Sequence, residues 1–91
     1  MKREDTYVWA LVDAIQNTGR NRRLLRSFLR DLLTPQELAD VATRWQIVKQ
    51  LSWGIPQRTI AKNLKVGIAT VTRGSRELQD TSGGFYQVLH K

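Results

Sequence analysis

Apolar residues recur at intervals of three and four along the chain, and the pattern predicts helices throughout. In "DTYVWALVDAIQNTG", Val8, Leu11, Val12 and Ile15 share a face, and Gly19 offers a left-handed stop. Asn21 is placed to cap a second helix, in which Leu24, Leu25, Phe28, Leu29, Leu32 and Leu33 form an apolar face too broad for a single neighbour to cover. "TPQE" then gives the sharpest local signal. Thr34 is the N-cap, Pro35 takes the first helical position, and Glu37, three residues after the cap, closes a capping box. The helix it opens is predicted to run to about Trp53, with Leu38, Val41, Trp45 and Val48 on one stripe and Gly54 as terminator.

Beyond Gly54, "IPQRTIAKNLKVGIATVTRGSREL" reads as two short helices around a turn. Pro56 begins the first, in which Ile60, Ala61 and Leu64 face inward, and the small alanine suits a close helix crossing. Lys65, Val66 and Gly67 make the turn. In the second helix Ile68, Val71, Ser75 and Leu78 define the inner stripe, which leaves Ala69, Thr72, Arg73 and Arg76 pointing outward and Thr70 on the other flank. The expectation is a helix-turn-helix that reads DNA, and the rival is a helical hairpin used only for packing. Outward hydroxyls and guanidiniums without an acid suit base edges and phosphates. The fold class expected is all-α, a single domain over 1–91, with dimerisation helices in 5–54, the helix-turn-helix in 56–79 and a short C-terminal helix in 83–91.

Composition sharpens this picture. Ninety-one residues bury a small core, and a chain of that size often completes it with a partner subunit, so a homodimer is expected. The absence of cysteine removes disulfides and thiolate metal sites. No apolar run reaches membrane-spanning length and "MKREDTY" does not resemble a signal peptide, so no membrane partner and a cytoplasmic location are expected. The net charge of +7 favours a polyanion. From Val41 to Arg76 the bases Arg44, Lys49, Arg58, Lys62, Lys65, Arg73 and Arg76 stand without a single Asp or Glu. A second cluster, Arg20, Arg22, Arg23, Arg26 and Arg30, fits a solvated helix face, a phosphate contact or a membrane surface. His90, the sole histidine, reads as a tail residue. With no acid paired to it and no Gly-rich phosphate loop, no enzyme is expected, and neither metal nor catalytic residue is assigned. The three tryptophans, Trp9, Trp45 and Trp53, suit core or interface packing better than base stacking.

The segment "LLTPQELADVATRWQIVKQLSWG" followed by "QRTIAKNLKVGIATVTRGS", Leu32 to Ser75, closely resembles the Trp repressor family through its "LTP", "TR" and "GIAT-TRGS" blocks. The resemblance implies an interlocked helical homodimer that binds a palindromic DNA operator when L-tryptophan, the corepressor, is bound. It implies that Arg44 and Arg73 sandwich the indole, that Arg73 pairs with the ligand carboxylate and Thr34 of the second subunit donates to it, and that backbone carbonyls near Asp31 and Leu33 of that subunit hold the ammonium. Gly74 leaves room for the ring. The residue types suit the task, because a flat, permanent guanidinium stacks on an aromatic face while its edge donates hydrogen bonds. The chain departs from the family in four places: the loop "WGIPQR" is one residue shorter and lacks a Ser or Thr before "QR", Lys65 stands where Gly is common, Glu77 replaces a hydroxyl that helps hold the ammonium, and the C-terminal helix "GGFYQVLHK" is short.

For DNA, the residues that open each helix of the motif are expected to reach bases: Gln57 and Arg58 in the first, Gly67, Ile68, Ala69 and Thr70 in the second. Thr43, Lys62, Lys65, Thr72 and Arg76 are expected to face phosphates. Two alternatives remain: a regulator of the same dimeric fold with no corepressor or a different small molecule, and a protein-interaction module whose basic face is incidental.

Overall fold

A computed structural model describes residues 2–91. They form six α-helices and, among the described residues, no strand: α1 (Arg3–Gln16), α2 (Arg22–Leu32), α3 (Pro35–Ser52), α4 (Gln57–Leu64), α5 (Ile68–Gln79) and α6 (Gly84–Leu89). The chain divides into two compact units, the first ending at Leu38 and the second spanning Ala39–Lys91.

In the first unit, local capping chemistry sets the element boundaries. Glu4 and Asp5 occupy the first turn of α1, where the exposed N–H groups favour negative charge. Past its last turn the Thr18 hydroxyl donates to the Ile15 carbonyl at 2.6 Å, and Gly19 turns the chain at φ +58°. Asn21 accepts from the Leu24 N–H at 3.0 Å and so caps α2, as its sequence position predicts. The capping box is complete in both directions: the Glu37 N–H donates to Thr34 Oγ1 at 3.1 Å, and the Thr34 N–H donates to Glu37 Oε1 at 2.9 Å. What these caps do not supply is burial. No residue of α1 or α2 is buried, and Val8, Trp9, Leu24 and Leu32 keep about half or more of their surface exposed.

The second unit holds the core. Ile47 and Val48 of α3, Ile60 of α4 and Val71 of α5 are buried, with Leu51, Ile55, Ala61, Leu64 and Val66 packed around them. The inner face of α3 is therefore Ile47, Val48 and Leu51. Of the stripe expected from the sequence only Val48 is buried; Val41 is exposed, and Leu38 and Trp45 are half-buried. In α5 Val71 points inward as expected, but Ile68, in the first turn, is 52% exposed. Gly74 is where α5 comes closest to α3: a Cβ there would sit 3.2 Å from Ile47 Cγ2 and 3.7 Å from Leu51 Cδ1.

Backbone bonding closes the loop after α3 and the turn after α4. Gly54 takes φ +79°, and the Ile55 N–H reaches back to the Gln50 carbonyl at 3.2 Å, closing the end of α3. Pro56 is the N-cap of α4 and not its first helical residue; with φ −59° and ψ 143° its carbonyl receives the Ile60 N–H at 3.1 Å. At the other end of α4 Lys65 is left-handed, φ 57° and ψ 46°, while the Val66 N–H bonds the Ala61 carbonyl at 3.0 Å. A side chain there strains the backbone by about 1 to 2 kcal/mol, part of which glycine would return as unfolded-state freedom. Lys65→Gly should therefore raise stability by up to about 1 kcal/mol, read as a higher urea midpoint with unchanged slope.

A turn at Asp80 joins α5 to α6. Ser82 donates to Asp80 Oδ1 through its hydroxyl at 2.6 Å and its N–H at 3.0 Å, and these bonds hold the carboxyl below its usual value. Their contribution is present above the ordinary carboxylate range and is lost as pH falls through the lowered value. Trp45 packs its ring 6.3 Å from that of Phe85, whereas Trp9 and Trp53 are exposed, the latter beneath the Lys49 ammonium at 5.5 Å. His90 stacks on Tyr86, ring centroids 4.0 Å apart.

Candidate functional site

Three helices of the second unit enclose a cavity of about 280 Å³. Its floor is apolar. Ile47 and Val48 of α3 form it, and Gly74 of α5 lies beside them without a side chain to fill the space. Arg44 stands one turn before Val48 on α3, Arg73 stands next to Gly74 on α5, and both line the cavity. The helical spacing explains this meeting. Residues 44, 47 and 48 lie on one side of α3, and residues 70, 73, 74 and 77 lie at steps of three and four on α5. Thr70 and Glu77 thereby join the wall, and Phe85 of α6 closes it.

Two guanidiniums, one carboxylate and a hydroxyl around an apolar floor can bind a small molecule that has a flat hydrophobic body and charges of both signs. Both arginines are exposed, so they remain hydrated and free to stack. Of the ligand residues expected from the sequence, Arg44, Arg73, Gly74 and Glu77 come together here. Asp31, Leu33 and Thr34 belong to the first unit; Asp31 is exposed, Leu33 is half-buried, and Thr34 is engaged in the capping box. Phe85 was absent from the sequence expectation. It sits in a six-residue helix too short to show a period, so no pattern marks it. A side chain at Gly74 would crowd Ile47, Leu51 and Val48, so this glycine permits the close approach of α5 to α3.

A neighbouring concavity of about 470 Å³ lies where α3 faces the turn between α4 and α5. Thr43, Lys65, Gly67 and Thr70 line it, and Arg44 and Thr70 border both cavities. The remaining residues expected to contact DNA divide by exposure. Arg58, Lys62, Ile68, Ala69 and Arg76 are exposed. Gln57 and Thr72 are half-buried and bonded to each other, the Thr72 hydroxyl donating to Gln57 Oε1 at 2.9 Å. That bond ties the start of α4 to the middle of α5 and leaves the Gln57 NH₂ group with donors to offer outward.

Comparison with known proteins fits this arrangement. The family described as Trp repressor protein matches residues 7–91. The chain belongs to the Trp repressor family. Trp repressor proteins are transcription regulators and not enzymes. Similar members include a Trp operon repressor homolog of Mannheimia succiniciproducens, 42% identical over 76 residues that cover 82% of this chain and 71% of that protein. Another, from Chlamydia trachomatis serovar L2, is 30% identical over 92 residues, covering 100% of this chain and 98% of its own length. The match to the Vibrio cholerae homolog is 48% identical but spans only 56% of this chain and 50% of that protein.

Proposed function

We propose that this chain is a DNA-binding transcriptional repressor that works as a homodimer with L-tryptophan as corepressor. The observation that carries the reading is the convergence of Arg44, from α3, and Arg73, from α5, on one cavity with an apolar floor. An indole stacked between the two guanidiniums, its carboxylate paired with Arg73, would fix α5 against α3. Thr34 and the carbonyls near Asp31 and Leu33 come from the second subunit in this reading. Helices within 5–54 form the dimer, 56–79 is a helix-turn-helix reading head and 83–91 a short closing helix, all within one functional domain. The exposed apolar side chains of α1 and α2 support a dimer, since helices of this length need tertiary burial to persist in water. Arg58, Gly67, Ile68, Ala69 and Thr70, with the Gln57 amide, face base edges. Thr43, Lys62, Lys65 and Arg76 face phosphates, and Thr72 supports them by holding Gln57. Among the described residues no helix is long and apolar enough to cross a membrane, and operator binding would place the protein's work in the cytoplasm.

The test is duplex binding with and without L-tryptophan, using duplexes selected from a random pool. The expected result is a bound species of two chains per duplex whose affinity rises on adding tryptophan. In the same assay Arg58→Ala or Thr70→Ala should cost about 1 to 3 kcal/mol and relax sequence preference, whereas Lys62→Ala should weaken all sequences alike. Identical behaviour of the two classes would refute the assignment of base and phosphate contacts. One observation favours a second reading, the same dimer with a different small molecule: Glu77 places an acid in the cavity wall. A ligand with a stronger cationic group than an amino acid would then compete with tryptophan for the site.

A further inference from the structure

The arginines of α2 break two rules of helix stability at once. Arg22 and Arg23 open the helix with no acid in its first turn, although the N-terminal end repels cations. Arg22 and Arg26, then Arg26 and Arg30, stand four residues apart, and Arg23 stands three from Arg26, so like charges face each other along one side. No acid occurs between Asp13 and Asp31 to offset them. Local rules broken without internal compensation point to a compensating partner. Arg22, Arg23 and Arg26 are all exposed and together border one shallow, open depression of the surface.

We infer that this triad is a phosphate-binding site whose occupant is the backbone of duplex DNA, an anchor additional to α4 and α5. The inference rests on the reading of the chain as a DNA-binding protein. Every base between positions 20 and 30 is arginine, and the guanidinium fork grips phosphate oxygens in pairs where an ammonium acts as a point charge. Arg22 and Arg26 are about 6 Å apart along the helix axis, and duplex DNA carries a charge every ~1.7 Å of its own axis, so the triad can engage more than one phosphate. An anionic lipid surface suits α2 less well. A helix lying on a membrane gives its whole apolar face to the lipid, whereas in α2 Leu25, Phe28 and Leu29 are half-buried and only Leu24 and Leu32 remain about half exposed.

The experiment measures affinity of the full chain for a random-sequence 30-base-pair duplex across a series of salt concentrations. The R22Q/R23Q/R26Q variant is expected to bind at least tenfold more weakly at low salt, with the slope of log K against log salt reduced by about 1 to 3, at about 0.9 for each phosphate no longer neutralised. Its preference among duplexes should be unchanged. Because the substitution removes repulsion, the variant's thermal midpoint without DNA should not fall, which separates weaker phosphate binding from defective folding. The R22K/R23K/R26K variant should keep the slope. A triple glutamine variant with the wild-type slope overturns the inference and leaves the proposed function standing; failure of the wild type to bind any duplex at low salt overturns both. In parallel, sedimentation with phosphatidylserine vesicles distinguishes the source of phosphate: binding that disappears in the glutamine variant while its DNA slope is unchanged would assign the triad to a lipid surface instead.

Discussion

Arg73→Ala should erase the difference in DNA affinity between tryptophan-loaded and tryptophan-free protein, and Arg44→Ala should do the same while leaving weak, ligand-independent binding through the basic surface of α4 and α5. The reason is geometric. Each arginine lines the cavity from a different helix, so removing either takes away the guanidinium that would clamp the ring from that side of the joint. A ligand favours one state only through contacts that differ between states, and a ring held on one side contributes no such difference. The wild-type coupling should lie at about 1 to 3 kcal/mol and be reciprocal, with duplex tightening tryptophan by the factor that tryptophan tightens duplex. Calorimetry on free and duplex-bound protein measures both arms. No heat with millimolar L-tryptophan, together with an unchanged duplex affinity, would sink the corepressor assignment and leave DNA binding untouched.

Ile60→Ala carries the largest expected cost to stability. Ile60 is 0% exposed and packs with Ile47 and Val71, so truncation strips packing from both neighbouring helices and leaves a void among side chains that have few others to close it. Substitutions of this kind cost about 2 to 5 kcal/mol, a large share of the roughly 5 to 15 kcal/mol that holds an ordinary domain together. The expected outcome is a clearly lowered urea midpoint with unchanged slope and a weakened grip on DNA even at saturating tryptophan. A midpoint within experimental error of wild type would show that α4 is not held by this core.

How much of this was legible in the sequence depends on whether the signal was local. The reciprocal Thr34 and Glu37 bonds, the Asn21 cap, the turn at Gly54 and the left-handed Lys65 could all be read from the chain, because each is decided within a few residues. The inner face of α3 was not. This helix is apolar on more than one side, and nothing in its own periodicity chooses Ile47 and Leu51 over Val41 and Trp45; the choice is made by α4 and α5, which arrive from later in the chain. Ile68 shares the apolar period of Val71 in α5 but not its burial, which periodicity alone does not decide. At the cavity, Arg44 and Arg73 were legible through resemblance and through residue chemistry, Phe85 through neither.

Ile47 and Val48 belong at once to the packed interior and to the cavity floor. Whatever seats on them becomes in effect an extra core side chain, supplied from outside. On the proposed reading, ligand preference and stability would draw on the same few side chains, so a change at position 47, 48 or 74 should disturb both. A different ligand would be accommodated more readily through the rim, where Thr70 and Glu77 are exposed, than through the floor, whose side chains also hold the interior together.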